Sequence, residues 1–322
     1  MRYSRVAGTG SHLPERVLTN ADLERMVETS DQWIFERSGI RERRIAAAHE
    51  TSTDLALPAA RAALEMAGLE PPDIDLIVVA TCTPEKVFPS TACLVQERLG
   101  VGECPAFDVQ AACAGFMYAL TTADSMIRTG AARRALVIGT ETMSRVIDWT
   151  DRTTCVLFAD GAGALVLEAS DEPGVLSTHL HADGQYKDLL WVPGWVSDDY
   201  STAPACPPHM EMAGSEVFRV AVEKLGAAVE ETLAANGLQQ HEIDWLIPHQ
   251  ANVRIISAIA RRLGLPLEQV VITIGEHGNT SAASVPLALD VAVRAGQVRR
   301  GQLLILEAFG GGFAWGSALV SF

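Results

Sequence analysis

The sequence predicts an α/β protein assembled from two copies of one unit. Apolar-periodic stretches that stop at a glycine, such as Thr53 to Gly68, are followed by continuous β-branched runs such as IDLIVVA (Ile74–Ala80), the pattern of a helix feeding a buried strand. The chain also repeats itself. LEMAGLEPPDIDLI from Leu64 matches LAANGLQQHEIDWLI from Leu233, with Gly68 on Gly237 and Asp75 on Asp244, at a shift of 169. RTGAARR from Arg128 matches RAGQVRR from Arg294 at a shift of 166, and GAGALV (Gly161–Val166) matches WGSALV (Trp315–Val320). Three ordered matches imply a duplicated α/β unit, with halves 1–170 and 171–322.

Taken in order, Tyr3–Gly10 reads as a strand, SHLPERVLTN as a loop, and a helix begins at Asn20–Asp22. No third glycine follows Gly8 and Gly10 to open a helix, so a dinucleotide site is not indicated. DVQAACAGFMYAL (Asp108–Leu120) is a short apolar run, a cysteine, then a helix carrying Phe116, Met117 and Leu120. Cys113 in the first helical turn would meet unpaired N–H groups and the helix dipole, an environment expected to lower its thiol pKa and give a thiolate. Ala111, Ala112, Ala114 and Gly115 leave room for a thioester. Cys113 fits equally as a small buried hydrophobe.

Adding 166 to Cys113 gives Asn279, expected at the helix start of the second copy, and adding 169 to Ala80 gives His249, at the end of the strand WLIPH. Two helix starts and a strand end would then converge, where α/β sheets build their sites. Asn279 also fits as a helix cap, and His249 as a satisfied core histidine. His277 competes for the same role, but it precedes the cap. His179 and His181 share a strand face; no carboxylate at ligand spacing accompanies them, so no metal is expected. From Gly184 to Pro208 the chain is irregular, with Trp191, Trp195 and the prolines 193, 204, 207 and 208, either a cover over an entrance or a surface excursion. After Pro248 a helix turns Ile256, Ile259, Ala260 and Leu263 to one face and Arg254 and Arg261 to the other, with Arg262 flanking. That basic face suits an acidic partner or is simply solvated.

Of the 322 residues 48% are hydrophobic and 20% charged, enough for a large core, and the formal net charge of −15 argues against nucleic acid and anionic membrane as partners. Six cysteines (82, 93, 104, 113, 155 and 206) form no CxxC pair, which favours reduced thiols. No secretory signal and no run of membrane-spanning length is present, so a cytoplasmic location is expected.

The set Cys113, His249 and Asn279 meets the needs of carbon–carbon bond formation from thioesters. A cysteine attacks an acyl thioester and holds the acyl group. Backbone N–H groups of Cys113 and of the run Gly310–Gly312 would bind the oxyanion. His249 and Asn279 would donate to the enolate left when a malonyl group loses carbon dioxide, each such donor being worth about 3–4 kcal/mol.

With AACAGF (Ala111–Phe116), PHQAN (Pro248–Asn252), HGNTSAAS (His277–Ser284) and EAFGGGFAWGSAL (Glu307–Leu319) in order, the sequence resembles the beta-ketoacyl-acyl carrier protein synthase III family over nearly its whole length, least so at 185–210. The resemblance implies a thiolase-like fold of two pseudo-symmetric halves layered α-β-α-β-α, and a homodimer. It implies an acyltransferase that condenses an acyl-CoA primer, acetyl-CoA first, with malonyl-acyl carrier protein to start type II fatty acid synthesis. No cofactor is implied beyond the coenzyme A thioester, which is a substrate. Trp33 and Arg152 match the pair that sandwiches the adenine, Arg37 a residue near the coenzyme phosphates, Gly311 the oxyanion-hole glycine, and Phe88 a residue that lines the neighbouring subunit's acyl pocket. Arg254 matches the residue that meets acyl carrier protein, which would enlist Arg261 and Arg262 beside it. Gln110 and Phe35 depart from the family pattern by their bulk.

The alternative within this fold is a related condensing enzyme that uses coenzyme A thioesters for a specialised lipid, polyketide or alkylquinolone. A papain-like hydrolase also runs Cys, His, Asn, and here the histidine follows 136 residues after Cys113, but the surround CG[SA]C[WY] is missing and that fold has no duplication. A non-catalytic binding protein would have no use for the intact triad.

Overall fold

The computed structural model describes residues 3–194 and 209–322; Trp195, Pro204, Pro207 and Pro208 of the irregular segment lie outside the described residues. The first half contributes strands β1 (Tyr3–His12), β2 (Arg16–Thr19), β3 (Glu42–Ile45), β4 (Leu76–Ala80), β5 (Ala106–Val109), β6 (Arg134–Thr142) and β7 (Asp160–Ser170). Its helices are α1 (Asn20–Leu23), α2 (Asp31–Ser38), α3 (Ser52–Ala67), α4 (Thr91–Leu99) and α5 (Gly115–Arg128). The remainder contributes β8 (Val175–Ala182), β9 (Leu190–Trp191), β10 (Glu211–Met212), α6 (Gly214–Asn236), β11 (Trp245–Pro248), α7 (Val253–Arg262), α8 (Ile274–His277), α9 (Ser284–Arg294), β12 (Leu303–Gly310) and β13 (Ala314–Ser321).

The repeat in the sequence is a repeat in space. One sheet runs β1-β7-β6-β4-β5 and the other β8-β13-β12-β11. In each, an innermost parallel pair (β4 with β6, β11 with β12) is followed by two antiparallel pairings. The counterpart of β5 is reduced to a single parallel bridge, Val270 beside Leu246 of β11. The helices that precede the parallel strands end alike: Gly68 and Gly237 both sit at φ 66° and close the last turn of α3 and α6 through backbone bonds to residues 169 apart, Leu64 and Leu233. At its start α3 is held by Thr51 and Asp54, each capping the other's backbone N–H.

Strand alternation sorts the core into layers. Leu76, Val78 and Ala80 of β4 face a central layer, while Ile77 and Val79 face α3 and α4. On β12, Leu304, Leu306 and Ala308 join that same central layer, and Ile305 and Phe309 face α6 and α7. The buried helices α5 and α9 fill the centre, so the order is helix, sheet, helix, sheet, helix.

Before each central helix the chain makes a tight turn, Ala112–Ala114 before α5 and Ser281–Ala283 before α9. Ala112 (φ 46°) and Ser281 (φ 51°), 169 positions apart, are left-handed without being glycine. Each turn packs against a glycine from the opposite half. A Cβ on Gly139 of β6 would lie 2.3 Å from the Ala282 carbonyl oxygen, and one on Gly310 of β12 would lie 2.5 Å from the Cys113 nitrogen. The offset expected from the sequence needs correction here. It is 169 up to the helix starts and falls to 166 only because α9 is 11 residues long against 14 for α5. The counterpart of Cys113 is therefore Ala282, and Asn279 lies three residues ahead of it, outside the helix.

Glu307 faces the α6 side of β12, fully buried, and neither carboxylate oxygen has a partner among the described residues. Burial pushes its pKa up to about 8. It therefore keeps its proton when folded, while the unfolded chain releases it above the usual carboxylate range.

Two outcomes follow for stability. Gly139→Ala forces the Ala282 turn to move and is expected to cost about 1–3 kcal/mol in urea unfolding, whereas Gly102→Ala, with open space around it, stays within about 0.5 kcal/mol. Between the carboxylate range and about pH 8 the unfolded state binds fewer protons at Glu307, so its share of stability falls as pH rises. Glu307→Gln is expected to gain on the parent protein in thermal midpoint from pH 5 to pH 8; a constant difference would contradict the buried acid.

Candidate active site

Cys113, His249 and Asn279 line one cavity of about 580 Å³, and each is about 5% exposed. Cys113 also lines a second cavity of about 860 Å³ with Cys82, Gln110, Ser281 and Gly311, so the cysteine stands where the two meet. His249 directly follows β11. Its N–H donates to the Glu307 carbonyl at 2.8 Å, and the N–H of Gln250 donates to Ser284 Oγ, at the start of α9, at 2.6 Å. The Asn279 backbone is stitched to the strand-like segment before β7, donating to Leu157 O and accepting from Ala159 N, both at 2.9 Å. Its Oδ1 accepts from Ser281 N at 2.9 Å, which leaves the amide nitrogen for a ligand. Asn279 thus shapes the turn before the helix rather than capping it.

The expected thiolate is not what burial produces. Desolvation pushes the Cys113 thiol up to about 12; the Ser281 hydroxyl beside it works the other way, and the charge of Glu141 raises it further. A short turn and a helix N-terminus favour an anion by less than the loss of water costs it. His249 is neutral for the same reason, burial holding its pKa at about 4, and its Nδ1 has no partner among the described residues. The resting site is a thiol facing an uncharged imidazole and an uncharged amide.

Trp33 and Arg37 line the first cavity, and the guanidinium of Arg152 lies 5.2 Å and that of Arg37 5.6 Å from the centroid of the Trp33 ring. Arg254 lines the same cavity over Phe218 and is exposed, as is Arg261. Arg262 is not part of that free face. It turns back to α6, where it pairs with Glu230 at 3.0 Å and covers Gly226. Gly311 lines the second cavity, while its neighbour Gly310 is the glycine pressed on the Cys113 nitrogen. Phe88 is 83% exposed and Val87 68%, on the loop after β4. Phe35, also exposed, is covered by Arg41 at 3.9 Å.

Several expectations change. His277 is buried and lines neither cavity, so of the two histidines only His249 faces the cavity of Cys113. His179 and His181 do have a carboxylate beside them: Glu231 of α6 lies 3.5 and 2.7 Å away, a long-range approach that sequence spacing cannot show. His181 also stacks on Trp315, and among the described residues no group of three ligating side chains is arranged to hold a metal. The flanks of the irregular segment meet, Leu190–Trp191 pairing with Glu211–Met212, and Leu190 lines both cavities. Sequence reading missed Glu141 and Ser281. The hint was a polar GTET ending a strand as apolar as ALVI.

The chain matches the family described as 3-oxoacyl-[acyl-carrier-protein (ACP)] synthase III over residues 107–184, and its C-terminal counterpart over residues 233–322. It is 64% identical to the beta-ketoacyl-[acyl-carrier-protein] synthase III of Thioalkalivibrio sulfidiphilus and 60% identical to that of Alkalilimnicola ehrlichii, with all of each chain covered. It superposes on the crystal structure of the 3-oxoacyl-[acyl-carrier-protein] synthase III of Aquifex aeolicus with a TM-score of 0.93 and 48% identity, covering 99% of this chain and 100% of that one. On these grounds the chain, a thiolase-like α/β protein, belongs to the beta-ketoacyl-[acyl-carrier-protein] synthase III family of condensing acyltransferases.

Proposed function

We propose that this enzyme joins an acyl-CoA primer, acetyl-CoA first, to malonyl-acyl carrier protein, releasing coenzyme A and carbon dioxide and giving the 3-oxoacyl-carrier protein that begins type II fatty acid synthesis. One observation carries the reading: a buried thiol, a neutral imidazole and a free amide N–H₂ line a single cavity with Trp33, a ring that has two arginines over it. The adenine of the coenzyme would stack at Trp33, with Arg152 and Arg37 against the ring and the phosphates.

Cys113 Sγ attacks the primer carbonyl and the coenzyme leaves as a thiol. The oxyanion is met by the backbone N–H groups of Cys113 and Gly311, and the acyl chain enters the second cavity. His249 and Asn279 then donate to the thioester carbonyl of the malonyl group. Both are uncharged, so they stabilise an enolate without delivering a full proton to its carbon. Loss of carbon dioxide yields that enolate, which attacks the acyl-cysteine.

No further cofactor is required by these steps. Arg254 and Arg261 offer the exposed basic face for the acidic carrier protein. The protein acts as a homodimer in this reading, because Phe88 and Val87 form an exposed apolar tip that a second copy would cover. In this reading the chain divides into the units 1–170 and 171–322. No helix among the described residues is long and apolar enough to cross a membrane, and a cytoplasmic site of action fits a carrier-protein substrate. The alternative of a specialised-lipid condensing enzyme is not favoured by relatives 60–64% identical over the full chain.

Cys113→Ser is expected to abolish condensation. His249→Ala and Asn279→Ala should each slow malonyl decarboxylation about 10²–10³-fold while Cys113 still takes an acetyl group from labelled acetyl-CoA. Loss of acylation with decarboxylation intact in His249→Ala would reverse the roles assigned here.

A further inference from the structure

Gln250 stands between His249 and Ala251, which both line the first cavity, yet it lines neither cavity itself and is 1% exposed. Its side chain uses every hydrogen-bonding position it has. The amide nitrogen donates to Pro248 O at 2.8 Å and to Val271 O at 3.0 Å, and Oε1 accepts from Thr273 N at 2.8 Å and from Ile274 N at 3.1 Å. Two carbonyls on one side and two N–H groups on the other admit only this orientation of the amide.

These bonds pin the segment that carries Asn279. Thr273 and Ile274 open α8, a single turn whose own first residue gives it no side-chain cap, and Gln250 Oε1 supplies one from across the fold. Beyond Asn279 the chain enters α9 at Ser284, whose Oγ accepts from the Gln250 backbone N–H at 2.6 Å. Asn279 is midway between Ile274 and Ser284, so one residue holds its segment on both sides. The same amide ties down the other donor. Its bond to Pro248 O fixes the residue before His249, and Val271, whose N–H donates to Leu246 O at 2.9 Å, is anchored on the same strand.

We propose that Gln250 is the positioning residue that sets the spacing of His249 and Asn279 for the malonyl half-reaction; this rests on the reading of those two side chains as the enolate donors. Both must reach a single carbonyl oxygen, each at about 3 Å, although one comes from the end of β11 and the other from the turn before α9. An error of about 1 Å in either costs far more than the hydrogen bond that prevents it. Gln250 touches neither the cavity nor the sulfur, so it acts only through the two donors. Cys113 is held differently: its turn follows β5 and is pressed on Gly310, neither of which Gln250 bonds.

Gln250→Met, similar in length and unable to make the four side-chain bonds, separates positioning from general damage because the two half-reactions can be measured apart. The kcat for decarboxylation of malonyl-acyl carrier protein should fall about tenfold to a hundredfold with KM little changed, while single-turnover acylation of Cys113 by labelled acetyl-CoA stays near the parent rate. Gln250→Glu keeps the oxygen for Thr273 and Ile274 and, when protonated, one of the two donated bonds; when ionised it sets a carboxylate against two carbonyls. Its decarboxylation relative to the parent should therefore recover as pH falls between about pH 9 and pH 6, and this decides the matter alone if Gln250→Met does not fold. Decarboxylation near the parent rate in folded Gln250→Met, an equal loss in both half-reactions, or a Gln250→Glu deficit that ignores pH overturns the proposal. Decarboxylation at the parent rate in His249→Ala and Asn279→Ala would instead overturn the donor assignment itself.

Discussion

The reciprocal packing of two tight turns is the constraint on which the rest depends. Gly139 from one sheet supports the turn Ser281–Ala283 of the other half, and Gly310 returns the same contact to the turn Ala112–Ala114. Left-handed backbone at Ala112 and Ser281 costs about 1–3 kcal/mol each, and it persists because the two turns are buried against each other between two sheets. The local strain aims the residue after Ala112, Cys113, away from the helix axis and into the space between the halves. Duplication supplies the architecture, and divergence supplies the chemistry: where one copy has Cys113 the other has Ala282, and where one has Ala80 the other has His249.

Electrostatics in this space follow from the absence of water. A thiol pushed up to about 12, an imidazole held down at about 4 and a carboxyl at Glu307 raised to about 8 all take their uncharged forms near neutrality. Burial raises the pKa of Glu141 too, against the hydrogen bonds it receives from Thr83, Cys82 and Ser281. An uncharged, low-dielectric site suits a reaction whose demand is to hold a transient enolate. Preorganised neutral donors stabilise the developing charge without reorganising, and they are worth more there than in water.

Much of this was legible in the residues. The helix ending at Gly68, the buried strand through Ala80 and the three internal matches depend on local chemistry and on spacing, both of which a linear reading preserves. His249 at a strand end and Cys113 before a buried helix followed from the same pattern. Long-range facts were not legible. The change of offset from 169 to 166 is hidden in the length of α9, so arithmetic paired Cys113 with the wrong residue. Arg262 reads as a free cation until α6 brings Glu230 to it, and His179 and His181 read as lone until Glu231 arrives from the same helix. At the Cys113 thiol the helix dipole, which is local, is outweighed by burial, which depends on packing from both halves.

The duplicated architecture brings Cys113 of the first copy to one cavity with His249 and Asn279 of the second. A crystal structure of the protein after reaction with acetyl-CoA, with the malonyl donor withheld, is the sharpest test of that arrangement as a catalytic one. The expected result is an acetyl group on Cys113 Sγ, its carbonyl oxygen in hydrogen-bond reach of backbone N–H groups at Cys113 and Gly311, and its reactive face toward His249 and Asn279. An acetyl group on Cys82, or one on Cys113 turned away from His249 and Asn279, would contradict it.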